Sequence, residues 1–236
     1  MSLSVPTIAA IETSTELASV ALLCGDRLLT RESSGAQTHS MTVLALLQEL
    51  LREQGMALGQ CDALAFGSGP GSFTGVRTAS GLAQGLAFGA NLPVVRVVTL
   101  LAMADAARTQ GAGDNVIAVL DARMGEVYWA QYRFDAQWRV VSEPCLSAPE
   151  QVIAKDTSCA VGNGLAAYVD RFTGLQSLPR LPGLMPHASQ IALLGRQFAQ
   201  QGQGVHAREA QPLYLRNKVA QTTAERMSAN AAGAGP

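Results

Sequence analysis

The chain has 236 residues, 48% of them hydrophobic, with 17 basic and 18 acidic side chains and a formal net charge of −1. That length excludes a minimal domain and fits one large domain or two small ones around a sizeable core. The charge balance gives no long-range pull toward nucleic acid or acidic lipid, so any RNA the protein works on would be held by something else.

In chain order, residues 7–11 read as a short apolar strand, 12–16 as a polar turn, 17–24 as a second strand and 27–32 as a third, a meander of antiparallel strands. A helix follows over 39–54, with Ser40 as its cap, and then a short buried strand over 63–66. The next stretch, GSGPGSFTGVR at 67–77, runs glycine-rich into a helix expected over 73–88. It lacks the lysine of a phosphate-binding P-loop and the third glycine of a dinucleotide fingerprint. A tight turn around Gly69-Pro70-Gly71, with Ser72 or Thr74 capping the helix, accounts for it; an anion at the helix N-terminus stays open. Residues 93–98 form a further strand, and Thr99 is expected to cap a helix reaching about 108.

TQGAGD at 109–114 breaks the composition, after which a second block opens. IAVLDARMGEVYWAQ from Ile117 matches IAAIETSTELASVAL from Ile8, with Ile8 on Ile117, Ala9 on Ala118, Ile11 on Leu120 and Glu12 on Asp121. Both read strand, acidic residue, tight polar turn, strand, the trace of an internal duplication. This gives two related half-domains, 1–109 and 110–220, and a tail over 221–236 of small polar residues expected to be disordered. Within the second half, 160–164 reads as strand then turn, 165–172 as a short helix, 179–186 as a proline-rich loop and 189–200 as a helix capped by Ser189. That last helix is a candidate to pack back on the first half.

Metal and hydrolase chemistry lack an anchor. His39, His187 and His206 include no pair three to five residues apart, and no G-x-S-x-G elbow occurs. Each histidine is expected on the surface or as a cap. The four cysteines show no C-x-x-C pair and read as reduced thiols. The opening MSLSVPTIAAIETS has no charged start or long apolar stretch, and no run approaches a membrane span, so a cytoplasmic location is expected. The acid-bearing turns are the remaining candidates. Thr13, Ser14 and Thr15 could offer hydroxyls and amides to a phosphate, Asp121 could hold magnesium, and Arg123 could reach a phosphate or a partner's carboxylate. Ordinary turn chemistry explains the same residues.

The second helix is physically anomalous. Gly75, Ala79, Ala83 and Ala87 recur every four residues, and Gly81 and Gly85 add another small ridge. Each glycine costs a helix about 1 kcal/mol relative to alanine. Something must press closely against it, either the chain's own core or a partner. The first helix carries more apolar residues than one stripe needs, Leu44, Leu47 and Leu51 among them. An interface is therefore expected on Leu44, Leu47, Leu51, Gly75, Ala79 and Ala83, and Ala83→Arg is expected to abolish association while leaving the fold largely intact.

Taken together, ETSTELASVAL, the THS before the first helix, FGSGPGSFTGVRTASGLAQGLAFGANLPV, LDARMGEVYWAQY and PLYLRN resemble the TsaB (YeaZ) family of tRNA threonylcarbamoyladenosine biosynthesis proteins, in blocks spread over residues 8 to about 218. The resemblance implies the α/β actin-like ATPase and sugar kinase (ASKHA) fold, with two duplicated half-domains, each a mixed sheet with flanking helices. It implies a non-catalytic scaffold in bacteria that pairs with the catalytic paralogue TsaD, works with the ATPase TsaE, and meets tRNA only through the complex. TsaD carries its metal on an H-x-x-x-H pair that this chain lacks. The chain would have no catalytic residue, metal or cofactor of its own, with weak ATP or ADP and Mg at the partner junction, and would pair with itself through the two helices when TsaD is missing. Glu12 stands where the family pattern has aspartate, which argues against magnesium at the first turn. A glycoprotease-like metallopeptidase and a free-standing nucleotide phosphotransferase are the rival readings.

Overall fold

The computed structural model describes residues 5–34 and 39–216; the tail expected to be disordered lies outside them. Two five-stranded sheets share one plan. In the first, β1 (Ile8–Glu12) pairs antiparallel with β2 (Leu17–Cys24), which pairs with the edge strand β3 (Arg27–Ser34). On its other side β1 runs parallel to β4 (Ala63–Gly67), and β4 parallel to β5 (Val94–Val97). In the second, β6 (Asn115–Arg123) pairs antiparallel with β7 (Glu126–Asp135), and β7 with β8 (Gln137–Ser147). β6 also runs parallel to β9 (Cys159–Val161), and β9 to the two-residue β10 (Arg180–Leu181). The orders β3-β2-β1-β4-β5 and β8-β7-β6-β9-β10 correspond strand for strand, so the block repeated at Ile8 and Ile117 marks the same position in each sheet.

Strand alternation divides the core. Ala9 and Ile11 of β1 face α1 (His39–Glu53) and α2 (Phe73–Ala90), together with Val43, Leu47, Leu50, Ala79 and Ala83. Ile8 and Ala10 face the opposite way, toward α3 (Thr99–Thr109) and α5 (Ala188–Gln200). That inner layer also receives Val116, Ala118 and Leu120 of β6, so one apolar core joins the two sheets. The outer face of the second sheet is covered by loops and by α4 (Gly164–Ala167), through Val152, Leu165 and Phe172. Although α5 follows the second sheet in sequence, it lies on the first. Gly195 is the contact point, where an added Cβ would stand 2.5 Å from Ala65 Cβ.

Caps differ from expectation in instructive ways. Ser72 caps α2, its Oγ accepting from Gly75 N at 3.4 Å. Thr99 opens α3 without capping it, because its hydroxyl is turned to Glu12 and the Gly69 amide. For α5 the cap is His187, not Ser189: its Nδ1 accepts from Ser189 N at 3.1 Å. His206 does the same for the short helical turn Ala207–Glu209. The four cysteines are free; burial pushes the Cys61 thiol up to about 11. Among the described residues no helix is long and apolar enough to cross a membrane.

Candidate functional site

The two acid-bearing turns face one another across a cleft of about 340 Å³. On the first-half side, Glu12 ends β1 fully buried. One carboxyl oxygen accepts from Ser14 N at 2.5 Å and the other from Thr99 Oγ1 at 3.3 Å. Burial pushes its pKa above the ordinary 4.5, against the pull of the Ser14, Thr99 and Thr13 hydrogen bonds. Gly67 is glycine because a Cβ there would stand 1.8 Å from Glu12 Oε2. Glu12 thus braces β1, the loop after β4 and the start of α3 from inside.

The glycine-rich stretch lies directly on this turn. Ser72 N donates to Ser14 O at 2.7 Å, and Thr13 Oγ1 donates to Gly75 O at 2.7 Å. A Cβ at Gly71 would meet Ser14 O at 2.5 Å, and one at Gly75 would meet Thr13 O at 1.9 Å. The glycines serve close backbone approach. Two of the amides that an anion at the start of α2 would use, those of Ser72 and Gly75, are engaged by the chain itself.

Across the cleft, Asp121 Oδ1 accepts from Arg123 N at 2.7 Å and from the Tyr168 hydroxyl at 2.9 Å. Asn163 Oδ1 accepts from Asp121 N at 3.0 Å. The turn then passes through three positive φ values in succession, Arg123 at 62°, Met124 at 56° and Gly125 at 77°. Arg123 reaches back over the cleft, pairing with Glu16 Oε1 at 2.9 Å and with Asp121 Oδ2 at 3.2 Å. A third wall is the segment 213–216, where Arg216 joins the Glu126 carboxylate.

Of the four candidate anion contacts, Ser14, Thr15 and Arg123 line the cleft, while Thr13 is turned away to Gly75. Thr15 Oγ1 closes its own turn by accepting from Leu17 N at 3.3 Å. Ser14 Oγ is buried without a hydrogen-bond partner. Sequence reasoning misses Asn163, Tyr168 and Arg216; each acts on residues more than forty positions away, and no spacing rule points to such a partner.

A family model, TsaD: tRNA N6-adenosine threonylcarbamoyltransferase, matches residues 33–223. The tRNA threonylcarbamoyladenosine biosynthesis protein TsaB of Haemophilus influenzae is 42% identical over 225 residues, which span 90% of this chain and 94% of the relative. The chain belongs to the TsaB family. The Escherichia coli protein of the same name is 38% identical, across 90% of this chain and 96% of its own length. The structure of YeaZ from Pseudomonas aeruginosa superposes with a TM-score of 0.83 at 38% identity, covering 89% of this chain and 100% of that one. The two sheets of matching order fit the α/β fold of two duplicated half-domains, each a mixed sheet with flanking helices.

On the helix pair α1–α2 the structure places five of the six expected interface residues inside the chain. Leu47, Leu51, Ala79 and Ala83 are core residues, and Gly75 is buried against the first turn. The ridge Gly75-Ala79-Ala83 does meet a close neighbour, but that neighbour is this chain's own first turn and sheet. An arginine at Ala83 would have to enter the core, so Ala83→Arg tests folding and not association. Of the six, Leu44 alone is partly exposed. The outward ridge of α2 is the second one, Gly81 and Gly85, continued by Gly89, and a Cβ at any of them would meet nothing within 4 Å. Met41, 76% exposed, and Phe88, 77% exposed, stand on the same two helices.

Proposed function

We propose that the chain serves tRNA threonylcarbamoyladenosine biosynthesis in the cytoplasm as a non-catalytic subunit, supporting the catalytic paralogue TsaD together with the ATPase TsaE. The outer face of α1 and α2 is the docking surface, used for a second copy of the chain when TsaD is absent. tRNA is met through the complex. The chain needs no metal or cofactor of its own, and any ATP, ADP or Mg it touches is held weakly at the partner junction.

The observation that carries this reading is the outward glycine ridge. Three helical glycines that no intramolecular contact requires reduce helix propensity, by about 1 kcal/mol each relative to alanine. A helix keeps such residues where another backbone must come close. Exposed Met41 and Phe88 supply the apolar anchors such an interface favours. The engagement of the Ser72 and Gly75 amides at the start of α2 by the chain itself supports the non-catalytic part of the reading.

The test is co-purification of Gly85→Arg with TsaD, followed by a tRNA modification assay. The variant is expected to fold, to lose association with TsaD, and to abolish the chain's support of modification. Normal association would overturn the docking surface. Threonylcarbamoyl transfer, peptide cleavage or tight ATP·Mg binding by the isolated chain would overturn the non-catalytic role.

A further inference from the structure

We propose that residues 211–216 form a latch that holds the mouth of the cleft shut, with Arg216 as its catch. After the helical turn Ala207–Glu209 the chain leaves the first half and crosses to the second. It is seated firmly where it starts. Leu213 N donates to Ser68 O at 2.7 Å, and Leu213 O would lie 3.3 Å from a Cβ at Gly69, so the strap lies flat on the glycine-rich loop. The Tyr214 hydroxyl accepts from Arg77 Nε at 2.9 Å, and the Arg77 guanidinium stacks 3.5 Å from the centre of the Phe73 ring.

The far end grips the turn between β6 and β7. Arg216 donates to Ala122 O at 3.3 Å, to Met124 Sδ at 3.0 Å and to the Glu126 carboxylate. These contacts bracket the three residues with positive φ. Two of those are not glycine, and such backbone persists only where its surroundings hold it. Arg216, at the end of the strap, holds both flanks of this turn, while Glu16 reaches only the Arg123 side chain and Arg171 only Gly125 O.

A comparison within the cleft shows which tie matters. The other ion pair across the mouth, Arg123 with Glu16, has side chains 75% and 87% exposed, so water and salt screen it. The Arg216 side chain is 15% exposed and its planar fork spreads over three acceptors, a desolvated and charge-assisted arrangement. Deeper in, the shared core around α3 joins the sheets regardless of the latch. Release should therefore loosen the mouth and leave the halves attached. The latch acts within the isolated chain, whatever partner the protein serves.

Hydrogen exchange on the purified full chain tests this. In Arg216→Ala, amides of 13–16, 68–73 and 122–126 are expected to exchange about 10-fold faster or more, while those of β1 and of 115–120 in β6 stay at parental rates. Arg123→Ala should leave the same segments within about 2-fold of the parent, as expected for a screened surface pair. Arg216→Lys, which keeps the charge and loses the fork, should fall between, and Glu126→Gln should shift the same amides in the same direction by less. Parental rates at the cleft in Arg216→Ala would overturn the latch. So would acceleration of β1 and β6 by the same factor, because that reports a general loss of stability.

Discussion

One substitution made at two positions of α2 should have opposite effects. At Gly75 an alanine Cβ would sit 1.9 Å from Thr13 O, 3.0 Å from Thr13 C and 3.3 Å from Ser14 Cα. Carbon–oxygen contacts of this kind settle at about 3.3 Å or more. The start of α2 must then retreat by over ~1 Å, and the obstacle is backbone that cannot rotate aside. That movement strains or breaks two hydrogen bonds of 2.7 Å, Thr13 Oγ1 to Gly75 O and Ser72 N to Ser14 O. Overpacking costs about 1–3 kcal/mol and each lost hydrogen bond about 1 kcal/mol, against about 1 kcal/mol gained in helix propensity. The net expectation for Gly75→Ala is a destabilisation of about 2–4 kcal/mol. At Gly81 the added methyl meets nothing within 4 Å, so the propensity gain stands alone, about 1 kcal/mol of stabilisation. For a chain of this size 1 kcal/mol moves Tm by about 2–4 °C. Thermal and urea unfolding of the two variants should separate them by roughly 6–20 °C in Tm, with Gly75→Ala below the parent and Gly81→Ala above it. Gly75→Ala matching the parent, or both variants moving the same way, would refute the close-approach reasoning.

Glu12→Gln tests the buried carboxyl. Because burial raises its folded pKa above the ordinary 4.5, the folded state holds the proton more tightly than the unfolded chain does. The stability this gives is fully present below the ordinary value and is lost as pH rises through the folded one. The glutamine variant should therefore flatten the pH dependence of the urea midpoint and exceed the parent at pH ~8, by about 1.4 kcal/mol for every pH unit between the folded and unfolded pKa values. A variant weaker than the parent there would show that the carboxylate's hydrogen bonds outweigh its desolvation. Arg123→Ala should cost less than about 1 kcal/mol, measured by urea unfolding, since its pair with Glu16 is exposed and the Asp121 carboxylate keeps its hydrogen bonds from residue 123 N and the Tyr168 hydroxyl. Ala136 holds a φ of 58° in the exposed turn between β7 and β8, so Ala136→Gly should stabilise by about 0.5–1 kcal/mol in the same assay.

The parts of this molecule that are legible from sequence are those whose signal is local. β1, β2, β4 and β6 are short apolar runs bounded by turn residues, and the fixed offset of Ile8 and Ile117 discloses the duplication seen as two sheets of matching order. β8 escapes notice because its pairing with β7 shifts register at Trp129/Gln131 and Gln131/Tyr132, and those irregularities spoil a period of two. The small ridge on α2 announces a close neighbour without saying whether it is the chain's own core or a partner. Gly75 touches Thr13, 62 positions earlier, and a sequence records the need for contact without recording who meets it. Arg123 poses the same problem: a cation beside a turn suggests an anionic ligand until the fold brings Glu16 opposite, 107 positions away.

The same blindness hides what distinguishes this cleft from one that must hold a ligand. Glu12, Thr13, Asp121, Arg123 and Arg216 have each found a partner inside the chain. A site that binds and releases a charged ligand keeps groups whose alternative is water, and pays little to exchange them. Here an incoming phosphate would have to displace Glu16 from Arg123 and Glu126 from Arg216, and to approach beside Asp121. Within the cleft Ser14 Oγ and Arg216 Nε are buried without partners, two donors beside the two lining carboxylates of Glu16 and Asp121. The electrostatics favour keeping the halves together over holding an anion between them, and they leave α2's outward glycines as the surface whose sequence has no intramolecular explanation.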